Sequence, residues 1–211
     1  RLNTVMEQVD SYMQSVHAKP NIEDQSRTNA SCYNCHDAHN IGKLGSEARA
    51  EHRLENPQVC GKCHEDEKLA YQSSIHGKEV LENNNSEAAV CSDCHTTHNI
   101  TSTEKDKTKL NITKNCGGCH EKSLETYLSS YHGQVSRLGY AHTAKCYDCH
   151  GSHDLKKVDD PTSKVHMDIR LETCNTCHKD ATEGFLSFNA HGDANNFENY
   201  PIIYLTTKFM Q

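Results

Sequence analysis

Apolar residues recur at helical spacing most clearly at the start of the chain. The positions of this stripe are Leu2, Val5, Met6, Val9, Met13 and Val16. Their spacing of three and four residues predicts an amphipathic helix whose apolar face covers another part of the molecule. A second apolar run, residues 200–205, is rich in Tyr and Ile. It predicts a terminal β-strand that packs on the body of the protein or pairs with a neighbouring subunit.

Polar segments with Gly, Pro and mixed charges interrupt the chain at 42–56, 101–114 and 156–164. We expect loops there, and we expect Pro57 and Pro161 to end local structure. Only 34% of the residues are apolar and there is no Trp, whereas soluble domains have about 45–50% apolar residues. Side chains alone therefore offer too little apolar surface to offset the conformational entropy lost on folding, unless a non-protein group supplies the core.

The motif C-x-x-C-H occurs six times and uses all 12 cysteines. It is the attachment signature of c-type haem: two thiols at this spacing reach both vinyl groups of one porphyrin, and the adjacent His binds the iron. Zinc has no use for a His after every second Cys, and a disulfide scaffold has no reason to keep this spacing. We expect six covalent haem c groups. The attachment residues are Cys32, Cys35, Cys60, Cys63, Cys91, Cys94, Cys116, Cys119, Cys146, Cys149, Cys174 and Cys177, and the proximal ligands are His36, His64, His95, His120, His150 and His178.

The six motifs alternate between two types. Type A motifs begin at 32, 91 and 146, and a second His follows three residues after the motif His. Type B motifs begin at 60, 116 and 174, and each is followed by a Tyr- or Phe-containing stretch that ends in His, which we call its tail. The half-unit before the first motif contains a tail of the same kind, with His17 as its His. The pattern predicts one hexahaem domain over 1–211, mostly irregular and haem-cored, with short α-helices and little or no β-sheet. Its parts are a half-unit at 1–31 and two-haem modules at 32–90, 91–145 and 146–211.

Ten histidines lie outside the motifs, and we expect distal iron ligands among them. His39 lies one helical turn from His36, and His76 lies about 18 Å along a helix from His64, so neither can bind the opposite face of the same iron. The simplest scheme therefore runs forward along the chain. Its pairs are His17 with His36, His39 with His64, His76 with His95, His98 with His120, His132 with His150, and His153 with His178. His52, His142 and His166 have no counterpart in every module and are not expected to be required ligands.

The forward scheme leaves His191 without an iron. His191 occupies the same repeat position as His17, so the chain carries a distal ligand of this class near each end. We expect His191 or His17 to complete a haem of the next subunit, which would give an end-to-end homo-oligomer. The alternative is that one terminal His binds no iron.

The formal net charge is −7, and haem propionates make the loaded protein more acidic, very roughly −13 with ferric irons. This charge disfavours nucleic acid and anionic membranes as partners. The sequence contains no 18-residue apolar stretch, so we expect no membrane span. The chain begins at Arg1 without a signal peptide, which favours a processed form. Because covalent haem attachment is extracytoplasmic, we expect an extracellular or cell-surface location, with the periplasm second.

The strings SIHGKEVLENNNSEAAVCSDCHTTHNI and SYHGQVSRLGYAHTAKCYDCHGSHDL resemble the repeat of multihaem cytochromes c of the cytochrome c3-like, paired C-x-x-C-H superfamily. The resemblance covers nearly the whole chain and implies low-spin bis-His haems in van der Waals contact that pass electrons in a row. Some similar proteins form extracellular cytochrome filaments in which a subunit supplies a His to its neighbour. Others are periplasmic shuttles or soluble domains of quinol dehydrogenase complexes.

These observations favour an electron-transfer protein that is not an enzyme, with other redox proteins as donor and acceptor. The competing function is a multihaem reductase or oxidase of nitrogen compounds, which needs one iron with an open coordination position. Related nitrite reductases mark that haem with Lys in place of His, whereas all six motifs here end in His.

Overall fold

The computed structural model describes residues 2–20, 29–37 and 46–210. Within these ranges the chain is helical and contains no strand, so the expectation of helices without a sheet is confirmed for this part of the protein. The α-helices are α1 (Leu2–Met13), α2 (Cys32–Cys35), α3 (Ser46–Cys60), α4 (Glu65–Ser73), α5 (Ile75–Leu81), α6 (Cys91–His95), α7 (Asp106–Gly117), α8 (Glu121–Ser129), α9 (Tyr131–Arg137), α10 (Cys146–His150), α11 (Arg170–Asn175) and α12 (Pro201–Met210), and 3-10 turns span Val16–Ala18 and Glu183–Ser187.

The chain divides into two compact units. The first comprises residues 1–108 together with 153–155, and the second comprises 109–152 together with 156–211. Three motifs, those that begin at residues 32, 60 and 91, lie in the first unit, and the other three lie in the second. The short segment 153–155 brings the second His of the last type A motif into the first unit.

The two motif types occupy opposite ends of helices. Each type A motif begins a helix, namely α2, α6 or α10, because its third residue is Asn or Asp. The side chains of Asn34, Asp93 and Asp148 accept hydrogen bonds from the backbone N–H three residues earlier, at 2.7, 2.8 and 2.8 Å. This contact satisfies one of the donors that a helix start leaves without a partner.

Type B motifs follow the ends of helices instead. Helices α3 and α7 run into the motifs at residues 60 and 116, so the loops predicted over 42–56 and 101–114 are wrong where these helices lie. Pro57 is buried inside α3 rather than ending local structure. Good helix formers such as Glu, Arg, Ala and Leu surround it, and their propensity outweighs the charge and polarity that suggested a loop. The segment 156–164 has no helix, as expected.

The two ends of the described chain are helices with exposed apolar side chains. The predicted helix at the N-terminus is confirmed as α1, although its apolar stripe is exposed, with Met13 61% accessible. The strand predicted at 200–205 is wrong, because α12 covers these residues. Pro201 occupies the first helical position, which favours a helix start. A short apolar run has no periodicity that separates strand from helix.

Protein side chains form only a small core. Among the described residues the buried apolar side chains are Tyr71, Val80, Val90, Tyr127 and Ala141. The chain exposes 15075 Å², whereas a compact folded protein of 23.7 kDa exposes about 9,800 Å². None of the helices in the described ranges has the length and apolar character of a membrane span.

Candidate functional site

All 12 cysteines lie among the described residues, none is buried, and no disulfide joins them. The thiol of the first Cys in a type B motif lies close to that of the first Cys in the next type A motif, Cys60 beside Cys91 and Cys116 beside Cys146. The neighbouring thiol lowers the pKa of Cys60 and of Cys116 to about 7. The pKa of Cys91 and of Cys146 is raised by the same neighbour, and burial adds to that increase. In each of these two pairs, motifs that follow one another in the sequence therefore lie side by side.

Five motif histidines each face a second imidazole from a distant part of the chain. The ring centres are 6.2 Å apart for His17 and His64, 5.9 Å for His36 and His98, 6.0 Å for His95 and His153, 6.1 Å for His132 and His178, and 6.2 Å for His150 and His191. Each pair joins one motif His to one of the predicted distal ligands. The five distances agree within 0.3 Å, although the partners differ in sequence and in secondary structure.

This spacing suits two imidazoles on opposite sides of one metal ion. With about 2.0 Å for each metal–nitrogen bond and about 1.1 Å from nitrogen to ring centre, the expected separation is about 6.2 Å. No group of three or more His, Cys, Asp or Glu side chains that could hold a metal occurs in the described ranges. Each pair therefore offers two nitrogen ligands, which are too few to hold a metal ion without ligands from another source.

The electrostatics of the pairs favour neutral imidazoles. Burial lowers the pKa of His36, His95 and His150, and the neighbouring histidines lower it further. The same two causes act in the same order on His17 and His132. Neutral imidazole is the form that binds a metal ion.

The forward pairing scheme is wrong. The tail histidines His17 and His132 face the motif His of the next type B motif, not that of the type A motif between them. In the type A series the direction is reversed, because His98 faces the motif His of the previous type A motif. His153 does the same with His95. In these four pairs the distal histidine connects motifs of the same type and skips the motif that lies between them in the sequence. The fifth pair differs, because His191 follows a type B motif and faces His150 of the preceding type A motif.

The expectation that His17 or His191 is left over is also wrong, since both face a motif His of this chain. His39 lies outside the described residues. His76 lies at the start of α5, and the iron that it would serve stays a prediction.

In three of the tails, a tyrosine hydrogen-bonds the backbone just before the following type A motif and so anchors the distal His to that motif. The hydroxyls of Tyr12, Tyr71 and Tyr127 each donate a 2.8 Å hydrogen bond to the carbonyl oxygen of an alanine two residues before a type A Cys. The acceptors are Ala30, Ala89 and Ala144. This contact recurs in three tails, and it explains why the repeat carries Tyr five residues before the distal His.

In the tails of His76 and His132, a serine lies two residues before the distal His and a glycine directly after it, in the pattern S-x-H-G. These two residues determine the backbone conformation at the distal His. The Ser74 hydroxyl accepts from the Gly77 N–H at 2.9 Å and caps α5, and Ser130 does the same for Gly133 at 3.2 Å. A Cβ at Gly77 would clash with the Tyr71 carbonyl oxygen. Gly therefore permits the close turn between α4 and α5 that places the His at the helix start.

The last tail keeps the geometry with different residues. Asn189 takes the place of the capping Ser, and its side chain accepts from the His191 N–H at 2.9 Å. The His191 Nδ1 lies 3.1 Å from the Ser123 carbonyl oxygen and 3.0 Å from the Thr126 hydroxyl. Because a carbonyl only accepts, Nδ1 is the protonated nitrogen, and Nε2 is left to bind a metal.

No protein-family model, no curated protein and no solved structure matches this chain. The interpretation of the six motifs therefore depends on the chain's own residues. The motif spacing, the accessible thiols and the paired imidazoles are the observations available for it.

One histidine close to a motif was not expected to matter. His52, on α3, has its ring centre 6.0 Å from that of His36, within the range of the five pairs. Its counterpart His166 instead lies 3.5 Å from an Asp168 carboxylate oxygen, and His142 packs against the Tyr140 ring. Position in the repeat did not separate His52 from His166, because His52 lies in α3 whereas His166 lies in the non-helical segment before α11.

Proposed function

We propose that this protein is an electron-transfer protein, a hexahaem c-type cytochrome whose six bis-His irons pass electrons along a row. The observation that carries the proposal is the set of five imidazole pairs at 5.9–6.2 Å, each of which includes a motif His. In each pair the two histidines come from distant parts of the chain, and five of the six motifs take part.

The residues present fit haem. All 12 thiols are at least partly accessible for thioether formation. The Nδ1 of His98 is buried without a hydrogen-bond partner, so this ring is not held in place by a protein acceptor. Apolar side chains that the protein leaves exposed, such as Met6 and Val9 on α1, supply surface that a porphyrin face would cover.

Haem iron, when bound, supplies one-electron transfer between ferric and ferrous states. The chain's own contribution is to fix position. In each motif the two cysteines would hold the haem covalently, and the motif His and the distal His would both bind its iron. With both of these positions taken by imidazole, no position would be left for a substrate, which is why we propose a carrier rather than an enzyme.

Contacts between motifs support a row within each unit. In the first unit Cys60 contacts Cys91, and Cys60 also acts electrostatically on Cys35. In the second unit Cys116 contacts Cys146, and Cys149 lies close enough to Cys174 for their charges to interact. Within each unit, electron transfer between the haems would then follow the order of the motifs in the sequence.

Mass spectrometry and carbon monoxide binding test the proposal on the purified protein. We expect a mass increase of six haem groups, a low-spin ferric spectrum and no reaction of the ferrous protein with carbon monoxide. A smaller mass increase would contradict the hexahaem assignment. A high-spin fraction that binds carbon monoxide would instead favour the reductase alternative, because it reports an open iron.

We further propose that copies associate end to end as an extracellular filament, with a monomeric periplasmic shuttle as the alternative. His17 and His191 have partners in this chain, so neither is assigned to a neighbouring subunit. Electron microscopy of concentrated protein should show filaments. Monodisperse monomers in the unsubstituted protein would contradict this proposal and leave the electron-transfer function standing.

A further inference from the structure

Two imidazoles lie close to the histidine of the first type A motif. The His36 ring lies 5.9 Å from that of His98 and 6.0 Å from that of His52, with interplanar angles of 22° and 19°. Both distances fall in the range of the five pairs. An iron held by His36 has one remaining axial position, so it can bind one of these two histidines at a time.

Repetition assigns His98 as the regular ligand. His98 and His153 follow their type A motifs by the same three residues, and each faces the motif His one module earlier. His52 belongs to α3, outside this scheme. The equivalent position of the second module, eight residues before Cys116, is occupied by Thr108, which hydrogen-bonds Thr101. The His95 site therefore has no histidine in the place that His52 occupies.

The neighbouring residue holds His52 in place. The Arg53 guanidinium donates two hydrogen bonds to the Asp93 carboxylate at 2.8 and 2.9 Å, and it also bonds the carbonyl oxygens of Ser86 and Ala88. Asp93 lies in α6, inside the motif that precedes His98 by a few residues. One fork of hydrogen bonds therefore ties the helix of His52 to the segment that carries His98, and it holds both rings near His36.

A hydrogen bond between His52 and His36 does not account for the approach. Two imidazoles joined by such a bond, with nitrogens about 2.9 Å apart, would have ring centres about 5.1 Å apart. The observed 6.0 Å is longer and falls within the range of the five imidazole pairs. The two rings are also nearly parallel, at 19°, as the His36 and His98 rings are at 22°.

We propose that His52 is a second axial ligand for the haem of the first type A motif, which binds its iron when His98 does not. This inference depends on the proposed haem function. It assigns to one site a choice of ligand that the equivalent site at His95 lacks. The consequence is that this haem keeps six-coordinate iron when its regular ligand is removed.

Four variants of the complete haem-loaded protein test the inference. For each variant, mass spectrometry counts the haems and electron paramagnetic resonance reports the ferric spin state. Carbon monoxide binding is measured after reduction. The variant His98→Ala should retain low-spin iron throughout and bind no carbon monoxide. The matched variant His153→Ala should show high-spin iron and carbon monoxide binding in about one sixth of its haem. His52→Ala should resemble the unsubstituted protein, and the double variant His52→Ala/His98→Ala should resemble His153→Ala. His98→Phe keeps a ring without a ligand nitrogen and replaces His98→Ala if that variant does not accumulate.

The outcomes separate this inference from the function on which it depends. If His98→Ala or His98→Phe binds carbon monoxide as His153→Ala does, His52 is not a second ligand, while the haem count still supports the cytochrome. If His52→Ala alone binds carbon monoxide, His52 is the regular ligand and the inference is wrong. A protein without covalent haem refutes the function itself.

Discussion

Replacing Tyr71 by Phe tests whether the tyrosine contact anchors the distal histidine to the next motif. Tyr71 is 8% exposed, and its hydroxyl donates to the Ala89 carbonyl oxygen at 2.8 Å. Burial raises the pKa of this phenol well above its usual value, so it stays a neutral donor at physiological pH. Removing the hydroxyl should lower the free energy of unfolding by about 1 kcal/mol, and by up to about 3 kcal/mol if water cannot reach the carbonyl.

Urea unfolding of the haem-loaded protein, followed by circular dichroism in the Soret and far-ultraviolet regions, measures this loss. The midpoint should fall at unchanged slope, because the substitution changes stability without changing the surface exposed on unfolding. Tyr140→Phe is the matched control, since Tyr140 is 56% exposed and lies outside the tyrosine contacts. Tyr12 and Tyr127 make the same contact, so their Phe variants should lose stability too. Equal midpoints for the Tyr71 and Tyr140 variants would refute the anchoring role.

Three further results are expected. Gly133→Ala should destabilise the protein by about 1–3 kcal/mol in the same urea assay, because its Cβ would clash with the Tyr127 carbonyl oxygen, whereas Gly184→Ala should not. The pKa of Asp93 lies below its ordinary 3.8: burial alone would raise it, but hydrogen bonds from Arg53 and the Val90 N–H overcome that effect. The carboxylate therefore contributes stability above pH 3.8 that is lost as the pH falls through the lowered pKa, so melting temperatures of the protein and of Asp93→Asn should converge in acid. Protein in which serine replaces every motif cysteine should lack a cooperative thermal transition, since few apolar side chains are buried without haem, and a native-like transition would contradict this.

Local features of the fold could be predicted because they depend on residues close in the sequence. The stripe of α1 follows from spacing, and the alternation of motif types follows from a second His three residues on. The helix start at each type A motif could also have been predicted, because a capping Asn or Asp recurs at the third motif position, as Asn34, Asp93 and Asp148. The Tyr and Ser of the tails recur visibly as well, although their partners do not follow from the sequence.

Helix and loop were confused where composition and periodicity disagreed. Helix α3 carries charges and a proline, which are common in loops, but its Glu, Arg and Ala residues are strong helix formers. The run at the start of α12 is short and almost wholly apolar, so the strand period of two residues cannot be distinguished from the helix period of 3.6 residues. Pro201, at the first helical position, was the residue that could have decided it.

The pairing of histidines could not be predicted, because sequence geometry excludes a ligand only from its own iron. The expectation that His39 lies one helical turn from His36 excludes only the iron of His36, and it does not say which other iron His39 would serve. The backbone supplies the missing information. The Val16 N–H donates to the Ile100 carbonyl oxygen, and the Ile75 N–H donates to that of Leu155, both at 2.8 Å. These bonds place each tail beside the segment that follows a later type A motif.

Most of the imidazole pairs join histidines of different modules, so a module is not an independent structural unit. His153 faces His95, while the motif His next to it, His150, faces His191. If the proposed haems are bound, the type A haem of the second module would lose its distal ligand on removal of the third module, and the type B haem of the first module would depend in the same way on His17. In an ordinary repeat protein, neighbouring units stabilise one another through packed apolar faces. Among the described residues few apolar side chains are buried, so the imidazole pairs and the hydrogen bonds that position them are a large part of the contacts of long sequence separation. Iron coordination would then carry the coupling between repeats that hydrophobic packing carries elsewhere.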